Sequence, residues 1–370
     1  MKRHPILLTI FLILAGISAC IDPFNPPEVN NSDRYLVYDG YLQANGTDTS
    51  WITLSRTQRL QETFKPMPEI AASVSVHSAS GQAYTFLPDP VQPGVYYLPP
   101  ADFNRAEPYR LSIKLRDGKT YESSEQHLLI SPDIDSISYE IKGNDGVQVY
   151  AHTHDPAGKT LFYKWTYDET WEYAAPMVSM LEVIDKKIVP REISVFKCWD
   201  DFRATNINVF TTATLSKDVV RFQPIVYIPI STNKLYWKYS INVKQQALSR
   251  EGFDYWTEIA RNTETNGSIF DPFPSQVSGN ITCVTDPKEK VFGYFTGGVT
   301  KSERIFITEA LGRSPVCFGV DTMSGRDVLN STMLISNQLP FPDGRYIVAP
   351  GNCLDCRTQG GTLNRPSFWR

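Results

Sequence analysis

Acidic and aromatic side chains are mixed along one short segment near the middle of the chain. The segment contains Trp165, Asp168, Glu169, Trp171 and Glu172. Paired carboxylates among aromatic rings are what a glycosidase or a sugar-binding cleft requires. The same pattern is typical of a strand that turns one face to a core and the other face to water. We therefore treat these five residues as candidate ligand contacts and assign no catalytic residue.

Two histidines separated by one residue offer a second kind of chemistry. His152 and His154 would point to the same side of a strand, as two metal ligands could. A third ligand would have to come from elsewhere, and residues 155–158 (Asp-Pro-Ala-Gly) have the composition of a turn. The sequence contains no Gly-x-Ser-x-Gly, His-Glu-x-x-His or calcium-loop motif. We predict no metal site, no cofactor and no enzymatic activity.

Cys353 and Cys356 have the spacing of a zinc knuckle or of a thioredoxin-like redox site. A zinc ribbon needs a second such pair, and a redox site needs a strand before it and a helix after it. Here Pro-Gly precedes the pair and Gly-Gly follows it. We therefore expect these cysteines to form disulfides.

The cysteines beyond residue 20 set the expected number of disulfides. They are Cys198, Cys283, Cys317, Cys353 and Cys356. Outside the cytosol, two disulfides and one spare thiol are the default expectation. The disulfide candidates are Cys198, Cys317, Cys353 and Cys356, with a bridge from Cys353 or Cys356 to Cys317 or Cys198. Neither the full connectivity nor the spare thiol is assigned.

The N-terminus has the pattern of a cleavable export signal. Lys2 and Arg3 precede an uncharged apolar run over residues 5–16, which is too short to remain as a membrane span. Residues 17–20 (Ile-Ser-Ala-Cys) resemble a lipobox, in which the cysteine is acylated and becomes the new N-terminus. We predict residues 1–19 as the signal peptide, Cys20 as the lipidation site and the proline-rich residues 20–33 as a tether.

Composition limits the classes of partner and fold. Removing residues 1–19 leaves 370 − 19 = 351 residues, with 36 − 2 = 34 basic and 40 acidic side chains and a formal charge of −6. With no basic cluster, nucleic acid is not an expected partner. Aromatic residues make up 12% of the chain, and 26 prolines and 22 glycines favour short strands joined by turns.

Residues 34–130 have the alternating pattern of a first β-sandwich. Seven short runs separated by turn signals are predicted as strands, over residues 35–41, 50–55, 72–77, 82–87, 94–98, 109–115 and 120–123. The Asp-Gly-Lys-Thr sequence at residues 117–120 lacks the glycine-rich lead of a phosphate loop and is interpreted as a hairpin turn.

Residues 131–370 are predicted to form a second β-sandwich of the fibronectin type III or immunoglobulin-like kind. Its strands are expected around residues 134–139, 147–151, 162–167, 235–244, 291–296 and 304–308. Residues 168–234 are expected to form a long insertion with additional strands near 193–198 and 219–230. One amphipathic helix is predicted, capped by Ser249, closed by Asn266-Gly267 and docked through Phe253, Trp256, Ile259 and Ala260. The chain is therefore predicted to be mainly β, with a disulfide-bearing C-terminal segment.

The order of several short motifs resembles that of a known family. The motifs are residues 165–172, 198–199, 238–243, 255–256, 267–272, 279–281, 291–295, 353–356, 360–362 and 366–369. Over nearly the whole mature chain they resemble a family of Bacteroidota lipoproteins known only as a domain of unknown function. Residues 72–76, Gly81 and residues 94–96 are also similar to transthyretin-like or carboxypeptidase-regulatory domains, which would be the fold of the first sandwich.

The resemblance implies a non-enzymatic lipoprotein of the outer membrane, without catalytic residues. Members of that family resemble outer-membrane lipoproteins often encoded beside TonB-dependent receptors, β-barrels that import bulky nutrients or iron complexes. Our first hypothesis is therefore an accessory subunit of such a barrel that captures a ligand, itself unknown, or acts as a lid. Residues 168–234 are the predicted contact surface. Only Asp22 among the acids lies just after Cys20, so both the cell surface and the periplasm stay open. The alternatives are a structural or assembly subunit of an insertion or secretion complex and, third, a glycan-active enzyme using Asp168, Glu169 and Glu172.

Overall fold

The computed structural model describes residues 34–58, 66–264, 277–312, 315–336 and 340–370. The predicted signal peptide, Cys20, the tether and Asn266-Gly267 lie outside these residues.

The first strands are β1 (Leu36–Gln43), β2 (Ser50–Arg56), β3 (Ser73–Ser78), β4 (Ala83–Thr85), β5 (Leu87–Pro88), β6 (Val95–Leu98), β7 (Pro108–Lys114), β8 (Thr120–Ser123), β9 (Gln126–His127) and β10 (Leu129–Ile130). They continue with β11 (Ile134–Lys142), β12 (Gly146–His154), β13 (Phe162–Ala174), β14 (Leu181–Ile184), β15 (Lys187–Pro190), β16 (Lys197–Arg203), β17 (Asn208–Thr211), β18 (Val219–Pro229) and β19 (Lys238–Ala247). The last strands are β20 (Ile281–Cys283), β21 (Val291–Phe292), β22 (Gly297–Val299), β23 (Lys301–Ile307), β24 (Asp321–Ser324), β25 (Leu334–Ile335) and β26 (Arg345–Ala349). The described helices are α1 (Arg250–Glu264), α2 (Gly325–Val328) and α3 (Gly351–Leu354), with 3-10 helices at Asn233–Leu235 and Cys356–Gln359.

Two sheets pack face to face as the first β-sandwich. One has the order β10-β22-β1-β2-β6-β5, with β21 beside β1, and the other has the order β20-β8-β7-β3-β4, with β9 beside β7. Alternate residues such as Leu36 and Leu54 on one sheet and Leu111 and Ile113 on the other fill the core. The seven strands predicted from alternation are confirmed, because a period of two places every second side chain in this core.

Residues 281–299 belong to the first sandwich, which corrects the prediction that residues 291–296 form a strand of the second. Val291 pairs with Leu36, and Gly297 pairs with Leu42, in parallel with β1. A Cβ at Gly297 would lie 2.6 Å from the Leu42 Cβ, so only glycine permits this approach. Gly293 has φ +133°, and a Cβ there would lie 2.3 Å from the Tyr38 carbonyl oxygen.

A buried polar network fixes the turn before β21. The Tyr121 hydroxyl donates to Glu289 Oε1 at 2.5 Å, and Lys119 pairs with the same carboxylate. Arg56 Nη1 lies 3.4 Å from Glu289 Oε1. The Glu289 side chain is only 6% exposed, and Arg56 and Lys119 of the first sandwich balance its charge. These contacts hold the returning chain against the first sandwich.

The second sandwich confirms the mainly β prediction for the middle of the chain. Its sheets have the orders β11-β12-β18 and β16-β13-β19-β23, with β17 beside β13. The predicted insertion is shorter than expected, because β16 and β17 both pair with β13 and β18 pairs with β12. Most of residues 168–234 are therefore strands of the sandwich, and residues 175–195 are the part that leaves it.

A separate C-terminal sheet has the order β15-β14-β25-β26-β24. Two disulfides use the four predicted cysteines and fix this region. Cys198 of the second sandwich bonds to Cys356, and Cys317 bonds to Cys353 in α3. The C-terminal sheet has a small core of its own, formed by Leu181, Val328, Ile335 and Val348.

Helix α1 confirms the predicted amphipathic helix and its cap. The Ser249 hydroxyl accepts the Gly252 N–H at 3.1 Å, which satisfies a donor of the first turn. The Phe253 ring lies 5.1 Å from that of Phe162 on β13, and Trp256 packs under Lys164. Within the described residues, no helix is both long and apolar enough to span a bilayer.

Candidate functional site

Strand β13 carries the five residues that the sequence marked as ligand contacts, and both of its tryptophans lie in the core. Trp165 is fully buried, and its Nε1 donates to Gln245 Oε1 at 2.9 Å. Trp171 is also buried in the second sandwich. Strand β13 runs through the middle of its sheet, so its odd-numbered side chains face the opposite sheet. These two rings are core residues and are not accessible to a ligand.

Glu169 lies on the same inward face and is 1% exposed. Its carboxylate accepts a hydrogen bond of 2.6 Å from the Tyr239 hydroxyl and pairs with Lys234. Burial, together with the Glu169 charge, raises the pKa of Tyr239 well above its ordinary value. Tyr239 therefore stays protonated and donates to the carboxylate. Lys234 balances the buried negative charge of Glu169 in this arrangement.

The two even-numbered acids of β13 are also paired. Asp168 forms an ion pair with Lys244 on the neighbouring strand. Glu172 accepts hydrogen bonds from Lys197 Nζ at 2.9 Å and from Trp369 Nε1 at 3.1 Å. The structure therefore brings the three acids onto one strand but gives each of them a basic partner.

The two histidines of β12 have separate partners. His152 Nε2 shares a hydrogen bond of 2.7 Å with the Ser138 hydroxyl, and its Nδ1 accepts the Phe222 N–H at 3.3 Å. Burial lowers the pKa of His152, so the neutral ring is favoured. His154 Nδ1 lies 2.7 Å from Asp135 Oδ1. Across the described ranges, no group of three or more His, Cys, Asp or Glu side chains is arranged to hold a metal ion.

A cavity of about 880 Å³ lies where the two sandwiches meet, around residues 128–133. Its charged side chains mostly bind one another or the backbone. Asp133 pairs with Lys301 at 2.7 Å, and Asp155 accepts the N–H groups of Lys159 and Thr160 at 2.9 and 2.8 Å. This cavity therefore lies at the contact between the two sandwiches, and polar contacts among its own residues stabilise it.

An exposed apolar segment, residues 315–320, precedes β24. Val316 and Phe318 are 71% and 79% exposed, and Val320 is also exposed. Cys317 between them faces inward and is bonded to Cys353. Large apolar side chains that are exposed close together along the chain make this segment a candidate interaction surface. The disulfide limits the motion of this surface and so lowers the entropy that a partner would have to remove.

A second exposed apolar stretch is hydrogen-bonded to α3, the short helix that contains Cys353. The Met177 N–H donates to the Cys353 carbonyl of α3 at 2.9 Å. Val178 and Met180 follow and are exposed. Helix α3 therefore anchors two chain segments that present apolar side chains to solvent.

The exposed apolar segment is not among the residues predicted from sequence. Its signal is present as the alternation of Val316, Phe318 and Val320 around a cysteine. Such alternation also predicts a half-buried strand, and only the structure places these side chains in water.

Comparisons with known proteins identify the family of this chain. A two-domain fibronectin type III segment of chicken tenascin is 14% identical, covering 58% of this chain and 93% of that chain, with a TM-score of 0.18. A DUF4785 family protein from Legionella pneumophila is 10% identical, covering 51% and 56%, with a TM-score of 0.20. No curated protein matches this chain. The model described as "Domain of unknown function (DUF4249)" matches residues 21–304, which is more than half of the 370 residues. The chain therefore belongs to the DUF4249 family.

Proposed function

We propose that this protein is a lipid-anchored, non-enzymatic accessory subunit of an outer-membrane β-barrel of the TonB-dependent class, for which it captures ligand. The exposed apolar segment would dock on the barrel. The lipobox-like residues 17–20 support anchorage, because the several acyl chains of a bacterial lipoprotein hold it stably at a membrane.

The contacts of β13 support a role without catalysis. Asp168, Glu169 and Glu172 each have a basic partner, and Glu169 is enclosed by the core. A general acid or nucleophile of a glycosidase must instead reach the bond that it cleaves. The glycan-active enzyme is therefore the weakest of the three hypotheses.

The observation that carries the proposal is the exposure of Val316 and Phe318 on a segment fixed by the Cys317–Cys353 disulfide. Exposed apolar side chains on a rigid support provide contact area with little loss of entropy on binding. We place the centre of the contact surface here, with Val178 and Met180 beside it, in place of the broader residues 168–234.

Co-purification of the full-length protein from gently solubilised outer membranes tests this proposal. Wild type carrying a C-terminal tag is expected to retain a β-barrel of the TonB-dependent class in stoichiometric amount. The double variant Val316→Glu and Phe318→Glu places two charges in the interface and is expected to retain at least about tenfold less barrel.

Val91→Glu is the matched control, since Val91 is 82% exposed on the first sandwich. It is expected to retain the barrel as wild type does, and thermal melts should agree among the three proteins. Undiminished barrel recovery with the double variant would overturn the docking assignment. Recovery of an insertion or secretion barrel would instead support the assembly subunit.

A further inference from the structure

A second cavity, of about 540 Å³, lies between the end of β13, the segment after β18 and the C-terminal segment. Its lining includes Tyr173, Ser231, Asn233, Tyr236, Pro315 and Gln359. The volume falls within the range of roughly 300–1,000 Å³ that is usual for small-molecule sites. Pro315 is the residue before Val316, so the cavity adjoins the exposed apolar segment.

The walls of this cavity are fixed by the rest of the fold. The Tyr173 hydroxyl donates to the Cys356 carbonyl at 2.9 Å and accepts the Gly361 N–H at 2.9 Å. Cys356 is bonded to Cys198, and the Ile230 N–H donates to the Asp145 carbonyl at 2.9 Å. A cavity with walls held in this way is preformed, which reduces the ordering that a ligand must impose.

The polar groups of the described lining are neutral, and several have no hydrogen-bond partner among the residues that the structure describes. The side chains of Ser231, Asn233 and Gln359 make no hydrogen bond to other described residues, and Ser231, Asn233 and Gln359 are all exposed. An amide offers a donor and an acceptor, which matches a ligand hydroxyl that both donates and accepts. None of the lining residues that the structure describes is charged. The interdomain cavity of about 880 Å³ differs, because charged groups line it and bind one another.

We propose that this cavity binds a neutral, polyhydroxylated ligand, namely the end of an oligosaccharide. The Tyr236 ring and Pro315 supply apolar surface for the C–H face of a sugar, and the amides and hydroxyl supply hydrogen bonds to its hydroxyl groups. Delivery of this ligand to a barrel rests on the proposed function, whereas binding itself does not.

Binding is measured by isothermal titration of the purified full-length lipoprotein in detergent. The probes are neutral gluco-, xylo- and manno-hexaoses and, as a charged comparison, hexagalacturonate. At least one neutral hexaose is expected to bind saturably. Ser231→Trp, which fills the cavity, is expected to weaken that binding at least about tenfold. Gln359→Ala is expected to weaken it about fivefold, since one hydrogen bond contributes roughly 1 kcal/mol.

Matched controls are Ser216→Trp and Gln92→Ala, which replace exposed residues of other loops and are expected to bind as wild type does. Saturable binding of hexagalacturonate alone, binding unchanged in Ser231→Trp, or no binding of any probe would each overturn the inference. The Val316→Glu and Phe318→Glu protein should still bind the hexaose. Loss of barrel recovery with retained sugar binding therefore separates docking from ligand capture.

Discussion

Glu169 shows how single residues of the second sandwich combine charge with an aromatic core. Its carboxylate lies among Trp171, Tyr239 and Lys234, where the lysine is 4.9 Å from the centre of the Trp171 ring. An unpaired carboxylate in such surroundings would be strongly unfavourable, so its two partners are needed for the fold. The mixture of acids and aromatic rings in the sequence resembles a binding cleft. In the folded protein, Glu169 instead forms a buried ion pair with Lys234 among these rings.

Replacing Glu169 tests this structural role. Glu169→Gln leaves Lys234 without its charge partner and is expected to lower the free energy of unfolding by about 3 kcal/mol. Asp168→Asn is the control, because its ion pair with Lys244 is more exposed, and a loss below about 1 kcal/mol is expected. Urea denaturation of both variants provides the values. Equal losses would contradict the buried pair.

Lys164 predicts a pH dependence of stability. Burial lowers the pKa of its amine to about 8, against a smaller opposing effect of Asp39, and its Nζ lies 3.2 Å from the centre of the Trp256 ring. In the unfolded chain the pKa is about 10.4. Because the unfolded state binds this proton more tightly, the resulting penalty is fully present below the folded pKa and disappears as the pH rises towards the unfolded value.

The comparison of wild type with Lys164→Met isolates this effect. Between pH values of about 7 and 9.5, wild type is expected to gain about 2 kcal/mol in free energy of unfolding relative to the variant. Chemical denaturation at both pH values measures the difference. A difference that stays constant with pH would show that Lys164 does not titrate differently in the folded and unfolded states.

At the scale of elements, the strands of the first sandwich and helix α1 could be predicted because their signals are local. A period of two identifies β1, β2 and β7, and a capping serine marks the start of α1. Partners distant in sequence could not be predicted in this way. Strands β21 and β22 have two and three residues, and their parallel pairing with β1 depends on Gly293, Gly297 and Glu289.

The candidate site was less predictable than the fold. Trp165 and Glu172 were selected by composition, but residue type alone does not reveal which face of a strand is enclosed. The exposed apolar segment escaped prediction for the opposite reason, since Val316 and Phe318 have the pattern of buried residues. Exposure depends on what covers a segment, and this is decided by contacts far away in sequence.

The disulfides and the buried free cysteine predict how many thiols react before and after reduction. Cys283 on β20 is the free cysteine of the described residues and is buried in the first core, so it should react with a thiol reagent only after unfolding. One thiol is expected to appear in denaturant, and four more after reduction, since two disulfides hold 2 × 2 = 4 cysteines. Peptide mapping without reduction checks the pairs. A disulfide that includes Cys283 would contradict the arrangement.

At the scale of the whole molecule, we propose a membrane anchor in the N-terminal part of the chain and a contact surface in its C-terminal part. Cys20 would hold the protein at a membrane, and residues 315–320 would meet the barrel. Restriction to one membrane raises the effective concentration of each partner for the other. A weak contact surface would therefore suffice for stable association.

Lipidation is tested by Cys20→Ser. Wild type is expected to incorporate a labelled fatty acid and to remain with the membrane fraction, because its acyl chains bury in the bilayer. The variant lacks the acylated sulfur and is expected to incorporate none and to leave that fraction. Both proteins are followed by fluorography of an alkyne-labelled fatty acid. Equal labelling of the variant would exclude Cys20 as the lipid site.

Site-specific photocrosslinking in intact cells tests the central claim most directly. A photoreactive amino acid replaces Phe318 in one strain and Val91 in another, since both positions are exposed. We expect an adduct between position 318 and an outer-membrane β-barrel of the TonB-dependent class, with no such adduct from position 91. Absence of a barrel adduct at position 318, or equal adducts from both positions, would contradict this prediction.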